Sequence, residues 1–147
     1  MRALTLAGVL SALVALLHFA VLFIGAPAYR YLGAGERMAV MAERGSLMPG
    51  AITLVLTAMF AVWAAYAFSG AELIPRLALL RTGLIGIGLI YAVRGLAVVP
   101  QVFLILRTSA SVIPARHVAF SLVSLAIGLC YLIGTWQSWA RLQAPRA

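Results

Sequence analysis

Thr82–Leu106 reads TGLIGIGLIYAVRGLAVVPQVFLIL. At 1.5 Å per residue a helix of this length exceeds the roughly 30 Å hydrocarbon core of a bilayer. One charge, Arg94, lies near its middle, and no Asp or Glu occurs within any apolar run of the chain. A cation at mid-bilayer costs roughly 2.5–3.5 kcal/mol on insertion scales, so such a residue normally faces protein or water. The expectation that organises the rest is a helix whose arginine is sheltered by its neighbours.

The composition agrees. Of 147 residues, 65% are hydrophobic, well above a soluble globular domain, and the length allows a single domain over 1–147. Eleven basic residues, every one an arginine, oppose three acids for a net charge of +8. Most of these arginines sit at the edges of apolar runs, where they meet anionic headgroups, so nucleic acid is not an expected partner. The single cysteine, Cys130, excludes an intramolecular disulfide and the quinone-coupled disulfide exchange of four-helix oxidoreductases. No zinc-spaced Cys/His cluster occurs either.

Four spans are expected, at about 3–26, 49–69, 78–106 and 117–136, with a long loop over 27–48. The first apolar run ends in Ala26-Pro27-Ala28, which resembles a signal-cleavage site. The run is too long for a signal h-region of ~7–15 residues, so a retained transmembrane helix is expected. Its Ser11, Ala15, His18 and Gly25 share a face, which turns His18 into the bundle. A histidine hydrogen-bonded to a neighbouring helix is preferred there over a metal or haem ligand.

Within the loop, Glu36–Arg44 is helix-compatible, with Met38, Ala39 and Ala42 on a separate side from its charges. It reads as an interfacial helix in the headgroups or, alternatively, as a lid bringing Glu36 or Glu43 to a buried arginine. Pro49 opens the second span, whose small, weakly polar stripe is Thr53, Thr57, Ala61 and Ala65. In the third, Tyr91, Arg94, Val98 and Gln101 share one face beside a small face of Gly88, Ala92, Gly95 and Val99. Pro100 predicts a kink that frees a carbonyl close to Arg94. The fourth carries His117, Ser121, Ser124, Gly128, Tyr131 and Thr135 at spacings of 4, 3, 4, 3 and 4, a polar-and-small seam of the kind along which membrane helices pack.

The expected fold is an all-α, up-down-up-down bundle of four transmembrane helices, plus the short interfacial helix. Arginines divide evenly between the two sides, so orientation rests on the Met-Arg start, which favours cytoplasmic termini. Chain direction places His18, Thr53, Thr57, Arg94, Gln101, His117 and Ser121 near the midplane or in the loop-side half, with Glu36 and Glu43 above. The best-supported activity is binding of an anionic or polar amphiphile, such as a lipid headgroup or small carboxylate. Arg94 would anchor the charge, His18 and Gln101 would hydrogen-bond, and Tyr91, Thr53, Thr57, His117, Ser121, Glu36 and Glu43 would line the pocket. A guanidinium suits this because its planar fork stays charged and donates twice to carboxylate or phosphate.

Other classes fit less well. A haem protein needs two histidines at one depth, and His18 lies roughly 9–12 Å deeper than His117 at 1.5 Å per residue. A small proton-coupled transporter needs a membrane-embedded carboxylate, which is missing. No G-x-S-x-G, H-E-x-x-H or carboxylate pair marks an enzyme, and neither catalytic residue, metal nor cofactor is expected. The remaining alternative is an accessory subunit of a larger complex, meeting homo- or hetero-oligomeric partners through small-residue faces. The order His18, Gly25, Tyr29-Arg30, Gly33-Ala34-Gly35-Glu36, Pro49, Tyr66, Pro75, Arg94-Gly95 resembles a group of small proteobacterial inner-membrane proteins with no assigned activity. That resemblance implies a multi-pass protein of the bacterial inner membrane and carries no functional residue.

Overall fold

The computed structural model describes residues 2–108 and 113–143. Met1, residues 109–112 and residues 144–147, with Arg146 of the orientation count, lie outside them. The described residues form helices α1 (Arg2–Ile24), α2 (Ala26–Leu32), α3 (Glu36–Glu43), α4 (Met48–Gly70), α5 (Leu80–Leu96), α6 (Val98–Thr108), α7 (Ala115–Gln137) and α8 (Trp139–Gln143). Four helical segments are long and apolar enough to cross a membrane: Arg2–Ile24, Met48–Gly70, Leu80–Arg107 and Ala115–Gln137. This is the composition and length of a multi-pass membrane protein.

The boundaries have local causes. α1 stops at Ile24 because Gly25 takes φ 73°, which an L side chain resists. α2 then restarts with Pro27 in its first turn and ends on Gly33, a left-handed cap whose N–H bonds the Tyr29 carbonyl. The sequence reading runs the first span to Ala26 and leaves 27–35 as loop, so α2 is an addition. α3 and the start of α4 fall where expected. The third span breaks at Ala97, three residues before Pro100, whose missing N–H cannot bond the carbonyl of Leu96. α8 adds a short turn of helix after the fourth span.

The chain divides into two compact units, Met1–Gly8 with Ala65–Ala147, and Val9–Ala64. In the first, α5 and α7 pack most extensively. α5 buries Leu80, Leu84, Ile87, Gly88, Tyr91 and Gly95; α7 buries Ser121, Ile127, Gly128, Tyr131, Gly134 and Thr135. A Cβ on Gly95 would lie 2.4 Å from the Leu125 amide nitrogen, and one on Gly128 would lie 2.6 Å from that of Ala92. The backbones therefore touch, as the small face of the third span and the seam of the fourth require. Contacts descend α7 as they climb α5, with Gly88 beside Tyr131 and Gly95 beside Leu125, so this pair is antiparallel. Tyr91 and Tyr131 stack at 5.9 Å between centroids.

In the second unit a small core forms from Val21, Ala26, Ala28, Tyr29 and Ala39, with Leu32, Met38 and Ala42 packed on it. The apolar side expected of α3 is the side it buries. Along the part of α4 in this unit the buried positions are Pro49, Thr53 and Ala64, whereas Ala61 is exposed. The expected stripe of Thr53, Thr57, Ala61 and Ala65 thus leaves the packed face after its first half.

Candidate ligand-binding site

The residues nominated from sequence fall into both units, and each group has its own geometry. In Val9–Ala64, His18 is half-buried, donates from Nδ1 to the Val14 carbonyl at 2.8 Å and rests on Phe60 at 4.8 Å. Its bond goes to its own helix rather than to a neighbouring one. Thr53 is buried, donates to the Pro49 carbonyl at 2.8 Å and meets the Tyr29 hydroxyl at 3.1 Å. Thr57 donates to the Thr53 carbonyl at 2.9 Å. Such back-bonds are the usual way a membrane helix satisfies a hydroxyl.

Glu36 and Glu43 both belong to Arg30. Its Nε and Nη2 hold Glu36 at 2.9 and 2.7 Å, and its Nη1 holds Glu43 at 2.6 Å. Gly33 and Gly35 turn the chain so that α3 places both glutamates, seven residues apart, beside the last turn of α2. The guanidinium hydrogen bonds push both carboxyls below the usual glutamate range and raise Arg30 further. The sequence reading singled out Glu36 and Glu43 as partners for a buried arginine, not for Arg30 beside them.

In the other unit, Tyr91 is buried against Tyr131, and Arg94 is exposed on the last turn of α5. Sharing a face with Tyr91 does not bury Arg94: it sits about 60° round the helix, at the edge of the packed arc. Gln101 and His117 are half-buried and Ser121 is fully buried. Ser124 and Thr135 donate back to the Phe120 and Tyr131 carbonyls, at 2.9 and 2.7 Å. The Ser121 hydroxyl and the Gln101 Oε1 are buried with no hydrogen-bond partner. The α5–α7 register, continued past Ala97, brings Ser121 to the level of the Ala97–Pro100 break.

The third acid, Glu72, lies 3.8 Å from Arg141. All three carboxylate side chains of the sequence are therefore paired, two with Arg30 and one with Arg141. Among the described residues no group of three His, Cys, Asp or Glu is placed to hold a metal ion.

Sequence reading passed over a second basic region, at the α4–α5 link. Ser69 donates to the Pro75 carbonyl at 3.0 Å and accepts from the Leu77 amide at 2.9 Å, which fixes the link. Arg81 lies over the Trp139 ring at 4.0 Å, and Arg76 donates to the Leu142 carbonyl. The signal available was Arg76 and Arg81 flanking a span start, followed much later by Trp136 and Trp139. Nothing in the spacing joined them. No family model, curated protein or solved structure matches this chain.

Proposed function

We propose that this is a membrane protein that binds an anionic amphiphile through Arg94. The reading takes the four apolar segments as up-down-up-down spans of a bacterial inner membrane, with cytoplasmic termini. The observation that carries it is the pairing of every carboxylate with Arg30 or Arg141, while Arg94 stands exposed on a span without an acid. A charge on such a surface needs a counter-ion, and a lipid phosphate or a fatty carboxylate brings one with its own apolar tail. The buried Ser121 hydroxyl and Gln101 Oε1 supply polar contacts near the Ala97 break. The role is binding, with no chemical step.

The accessory-subunit reading draws less support, since Gly88, Gly95 and Gly128 are already filled by α5–α7 packing. The test is Arg94→Gln in protein extracted with its native lipid and weighed intact by mass spectrometry. The variant is expected to lose the share of the retained anionic lipid that Arg94 holds, seen as fewer lipids bound per protein than in the parent, while melting at a similar temperature. Equal retention overturns the reading.

A further inference from the structure

The α4–α5 link carries a cavity of about 480 Å³ whose polar wall is Arg76, Arg81 and Thr82 and whose apolar wall includes Leu80, Ile85 and Leu142. Glu72, the acid of this region, pairs with Arg141 in a neighbouring 140 Å³ pocket that Arg76, Leu80 and Leu142 also border, and no acid lines the larger cavity among the described residues. Three features converge on it. The Arg81 Nε is buried without a hydrogen-bond partner. The Arg81 guanidinium is held against Trp139 rather than extended into solvent. The first turn of α5 begins after Leu79 with no side-chain cap, leaving its amides for an anion.

Beyond this basic mouth, Ile85 also borders a second cavity, about 290 Å³, with Leu132, Thr135, Trp136 and Trp139. The charged end thus continues into an apolar one along the outer faces of α5 and α7. A soluble anion uses only the first part. A phosphate ester bearing an acyl chain uses both, and indole rings are the side chains that favour the headgroup level.

We infer that this groove is a second site, separate from Arg94, that takes the phosphate of an anionic phospholipid between Arg76 and Arg81. The acyl chain runs past Ile85 towards Leu132 and Trp136. Arg81 is the specificity-determining residue, because its Nε is orphaned and its guanidinium is already positioned. Arg76 contributes charge while it holds the Leu142 carbonyl.

The experiment uses full-length protein carrying Trp63→Phe, so that fluorescence reports Trp136 and Trp139. It is placed in phosphatidylcholine vesicles with increasing brominated phosphatidylglycerol or brominated phosphatidylcholine. Quenching by phosphatidylglycerol is expected to saturate at about tenfold lower mole fraction, as one strong charge-assisted contact implies. Arg81→Gln is expected to abolish the difference, Arg81→Lys to restore part of it, and Arg94→Gln to leave it intact. An unchanged preference in Arg81→Gln overturns the proposal. So does loss of the preference in Arg94→Gln with retention in Arg81→Gln, which assigns the lipid to the other site. Reversal of quenching by inorganic phosphate alone overturns the lipid assignment in favour of a soluble phosphate. A fold lost in Arg81→Gln is recognised by a loss of helical circular dichroism relative to the parent, and Arg81→Lys then carries the test.

Discussion

The α5–α7 seam and the α2–α3 connection hold together by opposite means. Along the seam, cohesion comes from side chains that are missing: Gly88, Gly95 and Gly128 let two backbones meet, and the hydroxyls of Ser124 and Thr135 turn back on their own helix. In the connection, cohesion comes from long charged side chains, one arginine forked between two glutamates in the open. Each suits the solvent that the proposed membrane reading gives it. Lipid offers no hydrophobic drive between helices, so close van der Waals contact must do the joining. At an aqueous edge an ion pair is cheap to form and weakened by salt, but a bidentate geometry gives it direction.

That contrast breaks most visibly at Gly95. Gly95→Ala puts a methyl group 2.4 Å from the Leu125 nitrogen and 2.5 Å from its Cα, and backbone cannot swing aside. The helices must part, at a cost of about 1–3 kcal/mol for overpacking, and Gly128→Ala acts in the same way. Gly86→Ala is the control, because nothing lies within 4 Å of its added carbon. It should be neutral or stabilising by roughly 0.5–1 kcal/mol through helix propensity. Denaturant unfolding in detergent measures all three. Similar stability for Gly95→Ala and Gly86→Ala would mean that the seam is not close-packed.

A smaller and more local effect is expected at Arg30. Glu36 and Glu43 have carboxyl pKa values held below the ordinary glutamate value of about 4.3. Their contribution is therefore complete above that value and is lost as pH falls through the lowered folded values. Amide exchange over 36–43 should stay slow from neutral pH to about pH 5, after correction for intrinsic rates, and then accelerate on acidification. In Arg30→Gln the same amides should exchange faster at neutral pH and show a weaker acid step. Arg30→Lys should fall between, since a lysine cannot fork to two carboxylates.

The two regions also differ in how far a reader of the sequence could go. The fourth span was legible because its seam alternates steps of four and three, which drift only about 20° per heptad and so stay on one face. The stripe proposed for the second span steps by four each time. Every step turns about 40° further, so Thr53 is buried while Ala61 is exposed, and Ala64 takes the packed position. The break before Pro100 followed from a missing N–H, a local cause. The Arg30 clamp and the Arg81–Trp139 contact were out of reach because each depends on where a turn or a distant helix delivers a side chain. Arg94 drew attention through its rarity in an apolar run, and rarity carries no information about which way a residue at the edge of an arc will point.

The comparison sharpens at the smallest effect, inside the unit that contains the clamp. Tyr29 and Thr53 are both buried, and their hydroxyls meet at 3.1 Å across 24 residues of chain. Thr53 also donates to the Pro49 carbonyl, so in their mutual bond Thr53 accepts and Tyr29 donates. Tyr29→Phe removes the donor and leaves Thr53 still bonded to Pro49, so the loss should be about 0.5–1.5 kcal/mol. Thr53→Val strands the tyrosine hydroxyl in a buried place and should cost more than Tyr29→Phe. The double variant should recover part of that difference, because no orphan then remains. Additive losses in denaturant unfolding would show that the two hydroxyls are neighbours without being partners. The tie of α2 to α4 at Tyr29 would then be one of packing, unlike the ion-paired clamp that joins α2 to α3.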